Sequence, residues 1–185
     1  MAGQAPRGHN PGMADRETWL TQTDDALLRD CAVDTYRASG PGGQKRTKTS
    51  SAVRLRHGPS GLMVIAEESR SQHENKAKAV KRLRLTIALA CRQPMPEDGS
   101  LPAVFSAHRS ADGRIDISRR HEDYPRFVAV VLDALAAVGG RLKDAATALG
   151  TTTGQLSGVI VADGKVLDQV NRIRAEHGQS PIRAG

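Results

Sequence analysis

The sequence predicts an α+β chain: a small sheet with one helix packed on it, followed by a small all-α unit of helix-turn-helix type. Three observations predict it. Alternation over residues 52–57 and a short branched run over 62–66 flank the turn signal Gly58-Pro59-Ser60-Gly61, the pattern of a β-hairpin. Apolar residues at helical spacing follow beyond residue 71. A second helical stripe, Phe127, Val130, Val131, Leu135 and Val138, starts after Pro125 and stops at Gly139-Gly140.

The elements follow in order. Thr23-Asp24-Asp25 offers a cap and dipole-favourable acids before Ala26-Leu27-Leu28, so a short helix precedes a strand over about 31–37. Ser39-Gly40-Pro41-Gly42-Gly43 neither continues a strand nor begins a helix and reads as an exposed loop. In the strand 52–57, Val53 and Leu55 face one side and Arg54 and Arg56 the other. The helix over 71–90 places Ala77, Val80, Leu83 and Ile87 on the sheet, with Lys76, Lys78, Lys81, Arg82 and Arg84 largely on its remaining faces. Residues 93–121, with Pro94, Pro96 and Pro102, read as a linker between units at 16–92 and 122–180.

The chain has 185 residues, with 27 Lys and Arg against 20 Asp and Glu, a net charge of +7 that favours a polyanionic partner. Nucleic acid ranks ahead of an anionic membrane surface. No apolar run approaches the roughly 20 residues a membrane span needs, and the first residues lack the apolar core of a signal peptide. A soluble, cytoplasmic protein is expected. Cys31 and Cys91 are too few and too far apart for a zinc cluster or a disulfide framework. His57 and His73 stand alone among basic residues, so no metal site and no cofactor are expected.

The charge is concentrated. Residues 35–66 contain no Asp or Glu but hold Arg37, Lys45, Arg46, Lys48, Arg54 and Arg56, a setting suited to phosphate contacts.

Tyr36-Arg37-Ala38-Ser39-Gly40-Pro41-Gly42-Gly43-Gln44 resembles the catalytic loop of class I peptide chain release factors and their ribosome-rescue relatives. Lys48-Thr49-Ser50-Ser51-Ala52-Val53-Arg54 resembles the flank after that loop. Pro59-Ser60-Gly61 sits where the family has its hairpin turn, and Arg70-Ser71-Gln72 with Asn75-Lys76 resembles a further signature at the helix start. These matches run in register over about 31–85.

The resemblance implies hydrolysis of the peptidyl-tRNA ester in the peptidyl-transferase centre of the large ribosomal subunit. The partners would be the ribosome, peptidyl-tRNA and rRNA, met by a monomer with no membrane involved. Gly42, Gly43 and Gln44 would be catalytic. Ester hydrolysis needs an oriented water and donors where charge develops on the carbonyl oxygen, and a backbone N–H with a Gln amide can supply both. Arg37, Lys45, Arg46, Lys48, Arg54, Arg56, Arg70, Gln72, Asn75 and Lys76 would contact RNA. For Arg70, Gln72 and Asn75, capping and hydrogen bonding to the hairpin are equally open.

Lys45-Arg46-Thr47 stands where the family commonly has His-Val-Asn, so the RNA contacts next to the loop differ. Complete release factors carry a stop-codon-reading domain for which 185 residues leave no room, so codon-independent release is expected. Rescue relatives tend to have a basic tail, whereas this C-terminal region reads as folded and would supply another anchor.

Over 143–156, Ala146, Gly150 and Leu156 occupy the small, turn and core positions of a helix-turn-helix, with Val159 or Ile160 closing the core. As a DNA reader its second helix would present Thr152, Thr153, Gln155 and Ser157 without a Lys or Arg for phosphates. Three classes follow, in descending order: a ribosome-dependent peptidyl-tRNA hydrolase, a non-catalytic RNA-binding protein on the same domain, and a DNA-binding regulator.

Overall fold

The computed structural model describes residues 16–36 and 51–183. The chain divides into two compact units, Met1–Ile87 and Ala88–Gly185. No helix among the described residues is long and apolar enough to cross a membrane.

The first unit opens with α1 (Arg16–Thr21) and α2 (Asp24–Arg29), followed by β1 (Cys31–Tyr36), β2 (Ala52–His57), β3 (Met63–Ala66) and α3 (Gln72–Ala90), whose last turn passes into the second unit. Thr23 caps α2 as its sequence suggests, accepting from the Ala26 N–H at 3.3 Å. The strands form an antiparallel sheet in the order β1-β2-β3. In β2, Val53, Leu55 and His57 are buried and Arg56 is exposed, the alternation that a half-buried strand requires. The hairpin between β2 and β3 closes through Gly61, whose φ of +69° is one that a side chain disfavours.

Helix α3 lies against this sheet. It buries Asn75, Ala79, Leu83 and Ile87, a row at spacing four, with Val80 beside it. Ala77, expected in the stripe, is exposed. Val80, Leu83 and Ile87 of the expected stripe are buried, and only its first position differs, because the polar Asn75 heads the row where an apolar count starts at Ala77. Two arginines expected on outward faces are bound within the unit. Arg82 donates to the Ile65 carbonyl and to Glu68. Arg84 donates to the carbonyls of Leu20 at 3.0 Å and Gln22 at 2.8 Å and pairs with Asp24 at 2.8 Å. The end of α1 leaves carbonyls without helical partners, and this guanidinium satisfies them.

His57 is fully buried, with Trp19 edge-on at 5.0 Å and its Nδ1 2.7 Å from Ser60 Oγ. Burial pushes the imidazole below its ordinary value, against an opposing pull from the Asp30 carboxylate. A histidine whose pKa is lower folded than unfolded binds fewer protons in the native state. The stability it supports is therefore complete above about pH 6.5 and falls as the pH drops from there toward the folded value. The unfolding temperature of the wild type should fall as the pH drops over that window, and His57→Gln, which does not titrate, should flatten the slope. Parallel pH profiles for the two proteins would contradict this.

The second unit contains α4 (Ala103–Ser106), α5 (Tyr124–Ala137), α6 (Leu142–Ala148), α7 (Thr153–Ala162) and α8 (Gly164–Glu176). Helix α5 is buried on all sides from Phe127 through Leu135 because α4, α6 and α8 pack around it. A single stripe, as read from the sequence, understates this. Its end is fixed by Gly139 and Gly140, both at positive φ; a Cβ on Gly140 would stand 3.0 Å from Arg174 Cα. Helices α6 and α7 form the helix-turn-helix pair: Ala146 and Leu156 are buried, Gly150 has φ +61°, and Ile160 rather than Val159 closes the core.

Residues 93–121, read as a linker, lie inside this second unit. Val104 and Phe105 of α4 are buried, and Phe105 stacks on Phe127 at 4.7 Å. Arg109 donates to the Gly150 carbonyl at 2.9 Å, and Thr151 Oγ1 donates to the Gly113 carbonyl at 2.6 Å. Two adjacent apolar residues and a set of polar bonds carry no period, so the sequence pattern misses their packing.

Candidate active site

Gly42, Gly43 and Gln44, with Arg37, Lys45, Arg46 and Lys48, lie outside the described residues. The described residues define what holds the segment's two ends. Tyr36 at the end of β1 and Ala52 at the start of β2 are register partners, so the chain leaves and re-enters the sheet at adjacent positions. The Ser51 carbonyl accepts a hydrogen bond of 2.7 Å from Asn75 Nδ2. The same amide donates to the Ser69 carbonyl at 2.8 Å and accepts from the Ser69 N–H at 2.9 Å. Asn75 is fully buried, and both N–H groups and the oxygen of its amide are bonded inside the protein. Of the two roles the sequence left open for Asn75, its burial and bonds match the hydrogen-bonding one: the amide ties the entry of β2 to the β3–α3 connection.

Arg70, Gln72 and Lys76 surround it and are exposed. Ser71, between Arg70 and Gln72, takes the capping role, its Oγ accepting from the Glu74 N–H at 3.3 Å. Lys78 and Lys81 extend this exposed basic surface along α3, and His73 lies exposed on the same helix.

The two arginines of β2 differ. Arg54 pairs with Asp34 through Nε at 3.1 Å and Nη2 at 2.9 Å and covers Tyr36 at 5.9 Å from the ring. Asp34 is Arg54's register partner, one residue outside the acid-free stretch, so sequence position concealed it. Both side chains are substantially exposed, at 39% and 50%, which holds the pair to roughly 0–1 kcal/mol. Arg56 is exposed and makes no ion pair among the described residues.

In the helix-turn-helix pair, two polar residues that a DNA reader would present are committed inside the unit. Thr152 accepts from the Gln155 N–H at 3.2 Å, and Gln155 Oε1 accepts from the Ile115 N–H at 3.1 Å.

The sequence matches the RF-1 domain over residues 25–119. It is 45% identical to peptide chain release factor 1 of Solidesulfovibrio magneticus over 92 residues, covering 50% of this chain and 24% of that protein. Against peptide chain release factor 1 of Magnetococcus marinus the identity is 51% over 78 residues, 40% of this chain and 22% of the relative. Against that of Gluconobacter oxydans it is 54% over 71 residues, 38% and 19%. The chain thus spans about a quarter or less of the length of these curated relatives.

Proposed function

The chain belongs to the RF-1 domain family, and from that membership we propose that it is a release-factor-like protein promoting hydrolysis of the peptidyl-tRNA ester on the ribosome. The observation that carries this reading is the tripeptide Gly42-Gly43-Gln44 set between the paired ends Tyr36 and Ala52, in register with the family's flanking motifs. Residues 16–92 would form the catalytic domain.

Gly42 and Gly43 would let the backbone approach a crowded RNA site, and Gln44 would orient water and donate to the developing oxyanion. The reacting ester belongs to peptidyl-tRNA and the surrounding site to rRNA of the large subunit. Arg37, Lys45, Arg46, Lys48, Arg56, Arg70, Gln72 and Lys76 would position the domain on that RNA, with Arg54 in a lesser role because Asp34 offsets its charge. The protein would act in the cytoplasm as a monomer without a cofactor.

We further assign the helical unit to anchoring rather than to codon reading or DNA binding, since Thr152 and Gln155 are used internally. Release should then proceed at similar rates on ribosomes with a stop codon, a sense codon or an empty decoding site. A strict stop-codon requirement would contradict the codon-independent reading while leaving hydrolysis intact, and binding without release would favour a non-catalytic RNA-binding role.

The basic face gives a quantitative expectation. Arg56→Gln should weaken ribosome association and reduce the slope of log affinity against log salt by about 0.7–0.9, the share of one phosphate contact. Arg54→Gln should change that slope less, because its guanidinium already faces Asp34. Equal slopes for wild type and Arg56→Gln would show that Arg56 touches no phosphate.

A further inference from the structure

Where α5 begins, three side chains meet that peptide release does not use. His108 Nε2 stands 3.2 Å from Asp123 Oδ2, and His121 Nδ1 stands 3.8 Å from the same oxygen. The two imidazoles meet edge to face at 4.6 Å, and one ligand atom from each residue lies within 4.8 Å of the others. Tetrahedral bonds of about 2.0–2.1 Å place neighbouring ligand atoms about 3.3 Å apart, so small side-chain rotations close this set around an ion.

The surroundings favour a cation at this point. His108 Nδ1 lies 3.3 Å from the Asp116 carbonyl and Nε2 lies 3.2 Å from the Asp123 carboxylate, and both partners only accept. A neutral imidazole carries one N–H and can satisfy only one of these two acceptors, so with Nδ1–H on the carbonyl the Nε2 lone pair and the carboxylate converge on a point that suits a cation. A carbonyl behind the imidazole that fixes its tautomer is the outer partner found behind metal-ligating histidines. Asp123 supplies a separate indication. It precedes Tyr124 in helical backbone geometry, φ −75° and ψ −10°, and its carboxylate makes no capping bond to the first turn of α5. Oδ2 is turned to the histidines instead, and Oδ1 pairs with Arg126 at 3.2 Å.

We propose that His108, His121 and Asp123 bind one divalent cation of the zinc class, which takes mixed nitrogen and oxygen donors. The side chains of His108, Asp123 and His121 are 13%, 29% and 43% exposed, so the outer side leaves a position for water as a fourth ligand. His121 Nδ1 now accepts from the Asp123 N–H at 3.1 Å, and the ion competes for that lone pair, which weakens its binding. Bound metal would cross-link residue 108 to the start of α5.

The test is titration of the tag-free full chain with zinc chloride at pH 7.5, followed by calorimetry and by thermal unfolding. One equivalent should bind and raise the unfolding temperature, while magnesium, which prefers oxygen ligands, should do neither. His108→Gln and His121→Gln should each weaken zinc binding at least tenfold, and His73→Gln, outside the cluster, should leave it unchanged. His121 is the more exposed ring, so its variant keeps the comparison intact if His108→Gln unfolds. Absence of saturable zinc binding would show that the three side chains hold no ion, and unaltered affinity in the folded His121→Gln variant would place the ion elsewhere; either result overturns the assignment.

Discussion

Gln44→Ala is expected to lower peptide release by roughly 100- to 1,000-fold, the effect of removing one donor from a developing oxyanion. Stability and ribosome affinity should change little, since the sequence reads residues 39–43 before Gln44 as an exposed loop and surface substitutions usually stay within about 0.5 kcal/mol. The contrast is diagnostic. A structural role for Gln44 would lower stability together with release, and an RNA-anchoring role would raise the concentration for half-maximal release without lowering the saturating rate. Single-turnover release at saturating protein, paired with thermal unfolding of the same preparations, separates the three. Equal saturating rates for mutant and wild type would remove Gln44 from the chemistry.

The second large effect concerns the fold of the helical unit. Asp133 is 4% exposed within α5 and accepts from the Gln93 N–H at 2.9 Å and from Arg92 Nη1 at 3.3 Å. Arg92 also donates to the carbonyls of Ala88 and Ala129. Asp133→Ala leaves that guanidinium and the Gln93 N–H without the carboxylate, and breaking a buried pair in this way costs about 3–5 kcal/mol. Domains of this size are stable by about 5–15 kcal/mol, so the loss should be plain in urea unfolding followed by circular dichroism. Asp133→Asn, which keeps an acceptor for Gln93, should lose less. A loss below about 1 kcal/mol for Asp133→Ala would show that the pair is not holding the unit together.

The parts of the fold that were legible in the sequence share one property: their pattern is local. Gly58 to Gly61 announces the hairpin, Thr23 announces α2, and Gly139-Gly140 announces the end of α5. Each depends on residues within a few positions. Features set by pairing across long separations were not legible. The neutralisation of Arg54 comes from Asp34, twenty positions earlier, brought opposite by strand register. The burial of Arg84 depends on carbonyls more than sixty positions away. Asn75 is polar yet heads the buried row of α3, and only its bonds to Ser51 and Ser69 reveal why.

The same holds for the second unit. Residues 93–121 lack periodicity because α4 is a single turn whose buried pair, Val104 and Phe105, needs α5 for meaning. His108, His121 and Asp123 show no ligand spacing along the chain, since the chain turns back through the Arg109–Ile115 bridge before α5 begins. The motif around Gln44 was legible as chemistry through resemblance, and what the structure adds there is the anchoring of its neighbours Tyr36 and Ser51.

The measurement that bears most directly on the proposed activity is single-turnover release of a labelled peptide from peptidyl-tRNA held on ribosomes with an empty decoding site. With saturating wild-type protein, release should exceed that from ribosomes alone by several orders of magnitude and should yield the free peptide carboxylate and intact tRNA. Release indistinguishable from that of ribosomes alone, with the protein bound, would contradict it.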